Sequence, residues 1–502
     1  MKIRISTVII YLVAGTMLMC TGVACRGPQD GIMSGGGKGE NRREVMKRAR
    51  QDLIGGLPPT ILAQQCPEKI EVPALDEAVR TALKAAQETA IPLIDPNFHN
   101  KGKVIRVPDN HKTINQAIKA AKSGDVVLVE PGIYYEQLVM KDGVKLVSAS
   151  NNDGDILIAV EGAGIKLPRR AMRTIIDGSK AQTSKHGMID FDPGVDRNSI
   201  VDGFTIQNLP RQDHHIPGHA HGLNIRGASP VIINCLIRNN GSTGIGNHVV
   251  YKDQEKAIEK RDFRTVNVMN QASAVIYNNI IYGNLGLGIG CNHLSTPFIL
   301  GNEVFNNSDA ELGEDPSPGL GNKHGSAATI IGNIVHNNPG GGILCKVGAP
   351  QGIHSIDRPT FPTIKMNVVY NNGQLRPAIS CNGAGSEQMP VRIIGNYVFH
   401  SGLVGIALRD GARAIIEENM VSDSKLPGIA IRASKALKLN RNKVTRSREA
   451  PGFAIVKGAV VLEMVGNASD SNKGPRFMLK NGTIPEKVTY LKIRANPIFR
   501  SS

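Results

Sequence analysis

Between residues 200 and 450, short apolar runs alternate with asparagine-rich turns, and the asparagines keep a register. Aligned on the first asparagine of GNIVHNN, the segments read GFTIQN, NCLIRNN, NNIIYGN, GNEVFNN, GNIVHNN, MNVVYNN, GNYVFHS, ENMVSDS and RNKVTRS. One position is therefore Gly203, Cys235, Asn279, Asn302, Asn333, Asn367, Asn396, Asn419 and Asn442. Five residues later the column reads Asn208, Asn240, Asn284, Asn307, Asn338, Asn372, Ser401, Ser424 and Ser447. Steps run from 23 residues upward; those of 44 (Cys235 to Asn279) and 34 (Asn333 to Asn367) read as the same unit with inserted loops. The apolar letters between the two columns predict a short strand in every unit.

A second apolar strand follows each first one: GLNIR, GIGNH, GIGCN, GLGNK, GILCK, AISCN, GIALR and GIAIR. Because strand side chains alternate faces, the second and fourth letters point one way and the third and fifth the other. The inward fourth letter is Ile225, Asn247, Cys291, Asn322, Cys345, Cys381, Leu408 and Ile431. The outward fifth letter is Arg226, His248, Asn292, Lys323, Lys346, Asn382, Arg409 and Arg432, largely basic or polar.

Short strands at a period near 23 residues, with asparagine at repeated turn positions, resemble the right-handed parallel β-helix repeat of the pectin-lyase-like superfamily. That resemblance implies an all-β fold, one solenoid over residues 103–465. Successive coils would stack about 4.8 Å apart, superposing like residues. An inward asparagine ladder can then bond turn backbone groups that would otherwise be buried unpaired.

The ends read differently. Lys2 and Arg4, an apolar run from Val8 to Met19 and small residues up to Cys25 predict a signal peptide at 1–24. Cleavage before Cys25 would allow its lipidation; simple secretion after Ala24 is the alternative. The expected location is secreted, periplasmic or cell-envelope, with membrane attachment through Cys25 in the first case. Residues 25–60 are Gly-rich and basic and read as a tether. In the helical extension, 61–102, Leu75, Val79 and Leu83 form one helical stripe, expected to pack near the N-terminal end of the solenoid. Thr113 caps a further helix that Gly124 stops, which plugs the open first coil with Ile114, Ala117, Ile118 and Ala121. Residues 466–502 read as a C-terminal cap or tail.

Export permits disulfides, and Cys345 and Cys381 fall on adjacent coils within reach of a bridge. The favoured reading is reduced: Cys291, Cys345 and Cys381 stacked as small core hydrophobes.

The formal net charge is +16. Export and the lack of any recognition motif exclude nucleic acid as the partner. The recurrence of Arg226, Lys323, Lys346, Arg409 and Arg432 at one outward position predicts a basic stripe that concentrates a polyanion. With no Trp and only 4% aromatic residues, a charged polymer fits better than a neutral glycan, which needs stacking platforms. Seven of the 13 histidines lie between 214 and 324, His248, His293 and His324 among them.

Within the superfamily, lyases and epimerases of uronic-acid polymers remove the proton beside a carboxylate, which needs a base and a cation that stabilises the developing charge. The resemblance implies catalytic candidates here: His293 or His324 as base, with Lys323, Lys346 and Arg409 neutralising. Arg226, His248, Asn292, Asn382 and Arg432 would line the binding face, and Asp410 would orient Arg409. The expected partner is an acidic polysaccharide, bound by a monomer. A non-catalytic envelope protein, using the solenoid for adhesion or assembly, is the competing reading.

The sequence assigns no certain cofactor. Calcium is a candidate at Asp309, Glu311, Glu314 and Asp315, which offer hard oxygen ligands. The DHHIPGHAH cluster, His214 to His221, has ligands suited to zinc or copper.

Overall fold

The structure, a computed structural model, describes residues 73–98, 102–150, 156–181, 187–211, 220–252, 268–308, 316–347, 358–373 and 375–485. Three long parallel sheets of fourteen, twelve and twelve strands form the walls of a right-handed parallel β-helix. The chain visits them in rotation: Ile200–Asp202 in the first, Thr205–Gln207 in the second, Leu223–Arg226 in the third, then again from Val231. Parallel pairing in register superposes like letters, so Asn247, Cys291, Asn322, Cys345 and Cys381 form one column. The signal peptide, tether and Cys25 lie outside the described residues.

Corners carry much of the order. The turn between the first and second sheets needs a residue at positive φ directly before the ladder asparagine, supplied by Asn278, Gly301, Gly332, Met366, Gly395, Glu418 and Arg441. That local demand explains the recurring Gly-Asn and Asn-Asn pairs. Each ladder Asn then bonds the next. Asn302 Oδ1 accepts from Asn279 N at 3.0 Å and Asn279 Nδ2 at 2.9 Å, while Asn302 Nδ2 donates to Ile276 O and to Asn333 Oδ1. The same pattern continues through Asn367, Asn396, Asn419 and Asn442 to Asn467. A second ladder runs from Asn240 to Asn372 at the next corner.

Inside the tube, columns of Ile, Val and Leu make one continuous core from Ile105 to Phe477. Cys235, Cys291, Cys345 and Cys381 are buried thiols, not disulfides. At the first coil, Thr113 Oγ1 accepts from Gln116 N and caps the helix Ile114–Ala120, which buries Ile114, Ala117 and Ile118 over the core. Coils continue past 465: Ala468–Asp470 and Phe477–Lys480 join the second and third sheets, so the segment from 466 opens with another turn of the spring.

Two straps cover the outer faces of the first and second sheets. Helix Leu75–Ala90 buries Ala78, Ala82, Ala86 and Ala90, and Leu75 is 42% exposed, with Val79 and Leu83 at the margin. The expected Leu-Val-Leu stripe is therefore displaced by an alanine stripe, because the helix approaches the wall closely. A Cβ on Gly332 would lie 2.1 Å from Ala82 O. The helix also docks mid-solenoid, with Ala78 and Ala82 against Val368 and Phe399, instead of at the first coil. From there the chain descends to Phe98, packed with Val126 and Val147. The second strap is the antiparallel hairpin Leu157–Ala159 with Lys166–Pro168, which packs on Leu236, Ile280, Phe305 and Ile334. Glu303 holds it: its carboxylate accepts from Gly164 N and Ile165 N and meets His336 Nε2 at 2.9 Å.

Candidate functional site

The third sheet carries the outward basic letters, and its strands pair residue for residue: Arg226 with His248, His248 with Asn292, Lys323 with Lys346, Lys346 with Asn382, and Asn382 with Arg409. Two residues earlier in the strands the outward letter is mostly small: Gly246, Gly290, Gly321, Ser380, Ala407 and Ala430, with Asn224 at the head of the row and Leu344 interrupting it. Small letters beside long polar ones make a trough along the wall. One rim is the row from Arg226 to Arg432. The other is built by residues just before the strands, among them Thr243, Leu287, Arg376, Val404 and Leu426. Leu287 leans onto the floor, where a Cβ on Gly321 would come within 2.4 Å of its Cδ2 and 3.9 Å of Lys323 Cε. Lys323 thus folds back over a glycine.

Several other cations among the described residues are paired. Arg170 meets Asp202 at 2.8 Å in the buried wall, Arg441 meets Glu418, and Arg446 meets Asp423. Among the described residues, Lys323, Lys346, Arg409 and Arg432 make no such ion pair. Arg409 Nε donates instead to Asn382 Oδ1 at 3.3 Å. Burial, and then repulsion from Arg376 and Lys346, pulls the Lys323 ammonium down to about 8. Lys346 is lowered by burial and by Arg376, and Arg376 by its own burial. Arg409 is lowered chiefly by burial, opposed by Asp410 and reinforced by Arg432 and Arg376. Like charges crowding a partly dry trough raise the free energy of its empty state and favour a bound anion.

The sequence-derived residues separate into two groups. Lys323, Lys346 and Arg409 share one electrostatic neighbourhood, joined by Arg376. Arg376 was not anticipated: it sits in a turn off the strand register, and only the winding of the coil brings it opposite the lysines. His293 and His324 lie one residue beyond the basic rim, at turn positions with φ of 53°. Their rings are 5.1 Å apart and continue a column through His248 to His221, with centroid spacings of 5.9 and 6.1 Å. Asn292 and Asn382 stand in the polar rim, half-buried, whereas Arg226 and Asp410 are exposed at its margins. Asp410 acts on Arg409 by charge, and the guanidinium donates its hydrogen bond to Asn382 Oδ1. Asp309, Glu311, Glu314 and Asp315 lie outside the described residues, as do His214, His215 and His219. Among the described residues no group of three or more His, Cys, Asp or Glu is placed to hold a metal ion.

The family model described as "Right handed beta helix region" matches residues 377–500, and the model described as "Protein of unknown function (DUF1565)" matches 106–353. The chain has the right-handed parallel β-helix fold. Among solved structures, the Agl-KA catalytic domain is similar with a TM-score of 0.52 and 11% identity, over 76% of this chain and 66% of that one. This β-helix thus spans just under two thirds of that domain. The catalytic unit of a thermostable α-1,3-glucanase from Streptomyces thermodiastaticus gives 0.43 and 13%, covering 77% and 70%. A mannuronan C-5 epimerase A-module from Azotobacter vinelandii gives 0.36 and 14%, covering 75% and 94%. At these identities the likeness is one of fold. No curated protein matches the chain.

Proposed function

We propose that the outer wall of the third sheet binds an acidic, uronate-containing polysaccharide along the coil axis and cleaves or epimerises it. The observation that carries this reading is the trough itself: a floor of Gly, Ser and Ala, broken by Leu344, beneath the cations Lys323, Lys346, Arg409 and Arg432, which make no ion pair among the described residues. Sugar rings carry both C–H faces and polar edges. The aliphatic rim, Leu287, Val404 and Leu426, suits the first, and the rim of Asn292, Lys323, Lys346, Asn382 and Arg409 suits the second. A row of aromatic platforms is unnecessary when the carboxylates supply the hold. The N-terminal leader favours work outside the cytoplasm, from the envelope if Cys25 is lipidated.

Full-length protein is expected to be retained on immobilised alginate or polygalacturonate and released by salt. Lys346→Ala and Arg409→Ala should each elute at lower salt, since exposed charge contacts are screened over about 10 Å at 0.1 M. Retention identical to that of the parent in both variants would move the site elsewhere. Turnover is read as rising ultraviolet absorbance at the unsaturated-uronate band, or by proton NMR of the treated polymer. Retention with neither signal would leave a binding protein of the envelope, the competing reading.

A further inference from the structure

We infer that Cys345 and Cys381 hold one soft monovalent cation, Cu(I) or Ag(I), as a linear bridge between adjacent coils inside the tube. The Asn322 amide steadies it from the coil before. This reading is independent of the polysaccharide wall.

Spacing argues first. Cys345 and Cys381 pair in register in the third sheet, with their side chains in the core, and each is 0% exposed. Adjacent coils lie about 4.8 Å apart, and in-register side chains inherit that separation. A disulfide wants its Cβ atoms about 3.5–4.5 Å apart, so that bond would pull the two coils together. A linear sulfur–metal–sulfur unit with bonds of about 2.3 Å, the length of a zinc–thiolate bond, spans about 4.6 Å. It fits the rise of the solenoid as it stands. Cys291 is two coils from Cys345, with Asn322 between, about twice the spacing that one ion bridges. Two thiolates are the ligand set of a soft ion, whereas calcium and magnesium seek oxygen.

Asn322 supplies the second observation. Its side chain is 0% exposed and neither amide atom has a partner, whereas Asn247 in the same column still reaches Gly290 O at 3.4 Å. Buried polar groups are paired as a rule. Cys345 is the next member of the column, and as a thiolate it accepts from Asn322 Nδ2, which gives the amide its missing contact. Each thiol gives up its proton as its metal–sulfur bond forms. Two protons therefore leave per ion, nothing is oxidised or reduced, and a neutral site gains one negative charge. Lys346 follows Cys345 on the opposite face of the same strand and offsets that charge through the wall. Asn322 is thus a positioning residue, and the two cysteines are the ligands.

The test uses reduced full-length protein with Ag(I) nitrate as the probe, in chloride-free buffer, incubated until uptake is constant. Native mass spectrometry should count one ion fewer in Cys345→Ala and in Cys381→Ala than in the parent, and the parental number in Cys291→Ala. Asn322→Leu should keep the number but hold that ion about tenfold to a hundredfold more weakly against a competing dithiol, the usual effect of losing a group behind the ligands. In the parent itself, amide hydrogen exchange over 343–346 and 379–382 should slow when Ag(I) is added. Equal ion numbers in the parent and both cysteine variants overturn the assignment, as does exchange in the parent that Ag(I) leaves unchanged. Recovery of Cys345 and Cys381 as a disulfide, with no ion taken up, overturns it in favour of a redox bridge. An Asn322→Leu affinity equal to that of the parent overturns the part given to the amide.

Discussion

Two asparagine columns run through the same tube and behave in opposite ways. At the corner between the first and second sheets, Asn302 accepts from the main chain and side chain of Asn279 and donates to Ile276 O and Asn333 Oδ1. In the third sheet, Asn322 is equally buried, yet both of its amide atoms lack a partner. The difference is what the backbone leaves over. A turn has N–H and C=O groups that no strand satisfies, so an asparagine there completes the pairing. Inside a parallel sheet most of those groups are already bonded; Asn247 Nδ2 still reaches Gly290 O at 3.4 Å, but Asn322, between Cys291 and Cys345 in its column, finds no partner. Stability is therefore concentrated at the corners. The third-sheet strands tolerate poor pairing inward, at Asn322, and repulsion outward, at Lys323.

Breaking the corner column should have the largest effect. Asn302→Ala removes the side-chain partner of the Asn279 backbone N–H and of the Ile276 carbonyl, while Asn279 Nδ2 keeps Ile232 O and Tyr277 O, a loss of roughly 2–4 kcal/mol at about 1–3 per orphaned group with partial relaxation. Denaturant titration checks it; a loss below about 1 kcal/mol would mean the ladder is ornamental. The strap contact comes next. Glu303→Gln keeps shape but removes the charge that two turn N–H groups and His336 share, and should cost about 1–3 kcal/mol. Hydrogen exchange should then rise in the hairpin residues before it rises in the ladders.

In the strand column the sign reverses. Asn322→Leu, which gives this coil the letter Leu408 already holds, should raise stability by about 1–2 kcal/mol by removing an unpaired buried amide. Destabilisation instead would reveal a partner for that amide, such as an internal water.

The smallest effect is tied to pH. Burial, and then Arg376 and Lys346, lower Lys323 from the ordinary 10.5 to about 8, so below pH 8 the folded state bears the full cost of holding it charged. Between about 8 and 10.5 the unfolded chain binds more protons than the folded one, and stability attributable to this residue rises with pH. Lys323→Met should accordingly be more stable than the parent at pH 7, with the gap narrowing as pH climbs through that window. A gap that stays constant from pH 7 to 10 would show the lysine to be fully solvated.

The pattern of letters made the solenoid legible because superposition is a property of the repeat: Asn279, Asn302 and Asn333 must fall in one column if the period holds. Inward and outward faces followed from strand alternation, which placed Asn322 inside and Lys323 outside. Leu75, Val79 and Leu83 misled because hydrophobicity ranks leucine above alanine. The wall instead rewards close approach, which alanine over Gly332 allows and leucine does not. Arg376 left no trace in the register, since it belongs to a turn whose length varies from coil to coil.

By itself the sequence determined the winding, the ladders and the row of outward cations, because each depends on one local rule repeated at a fixed period. Only the tertiary structure decided which walls the straps cover, which lysine folds over a glycine and which arginine faces it. Those outcomes come from straps and turns that meet across tens of residues, where no period relates one letter to the next.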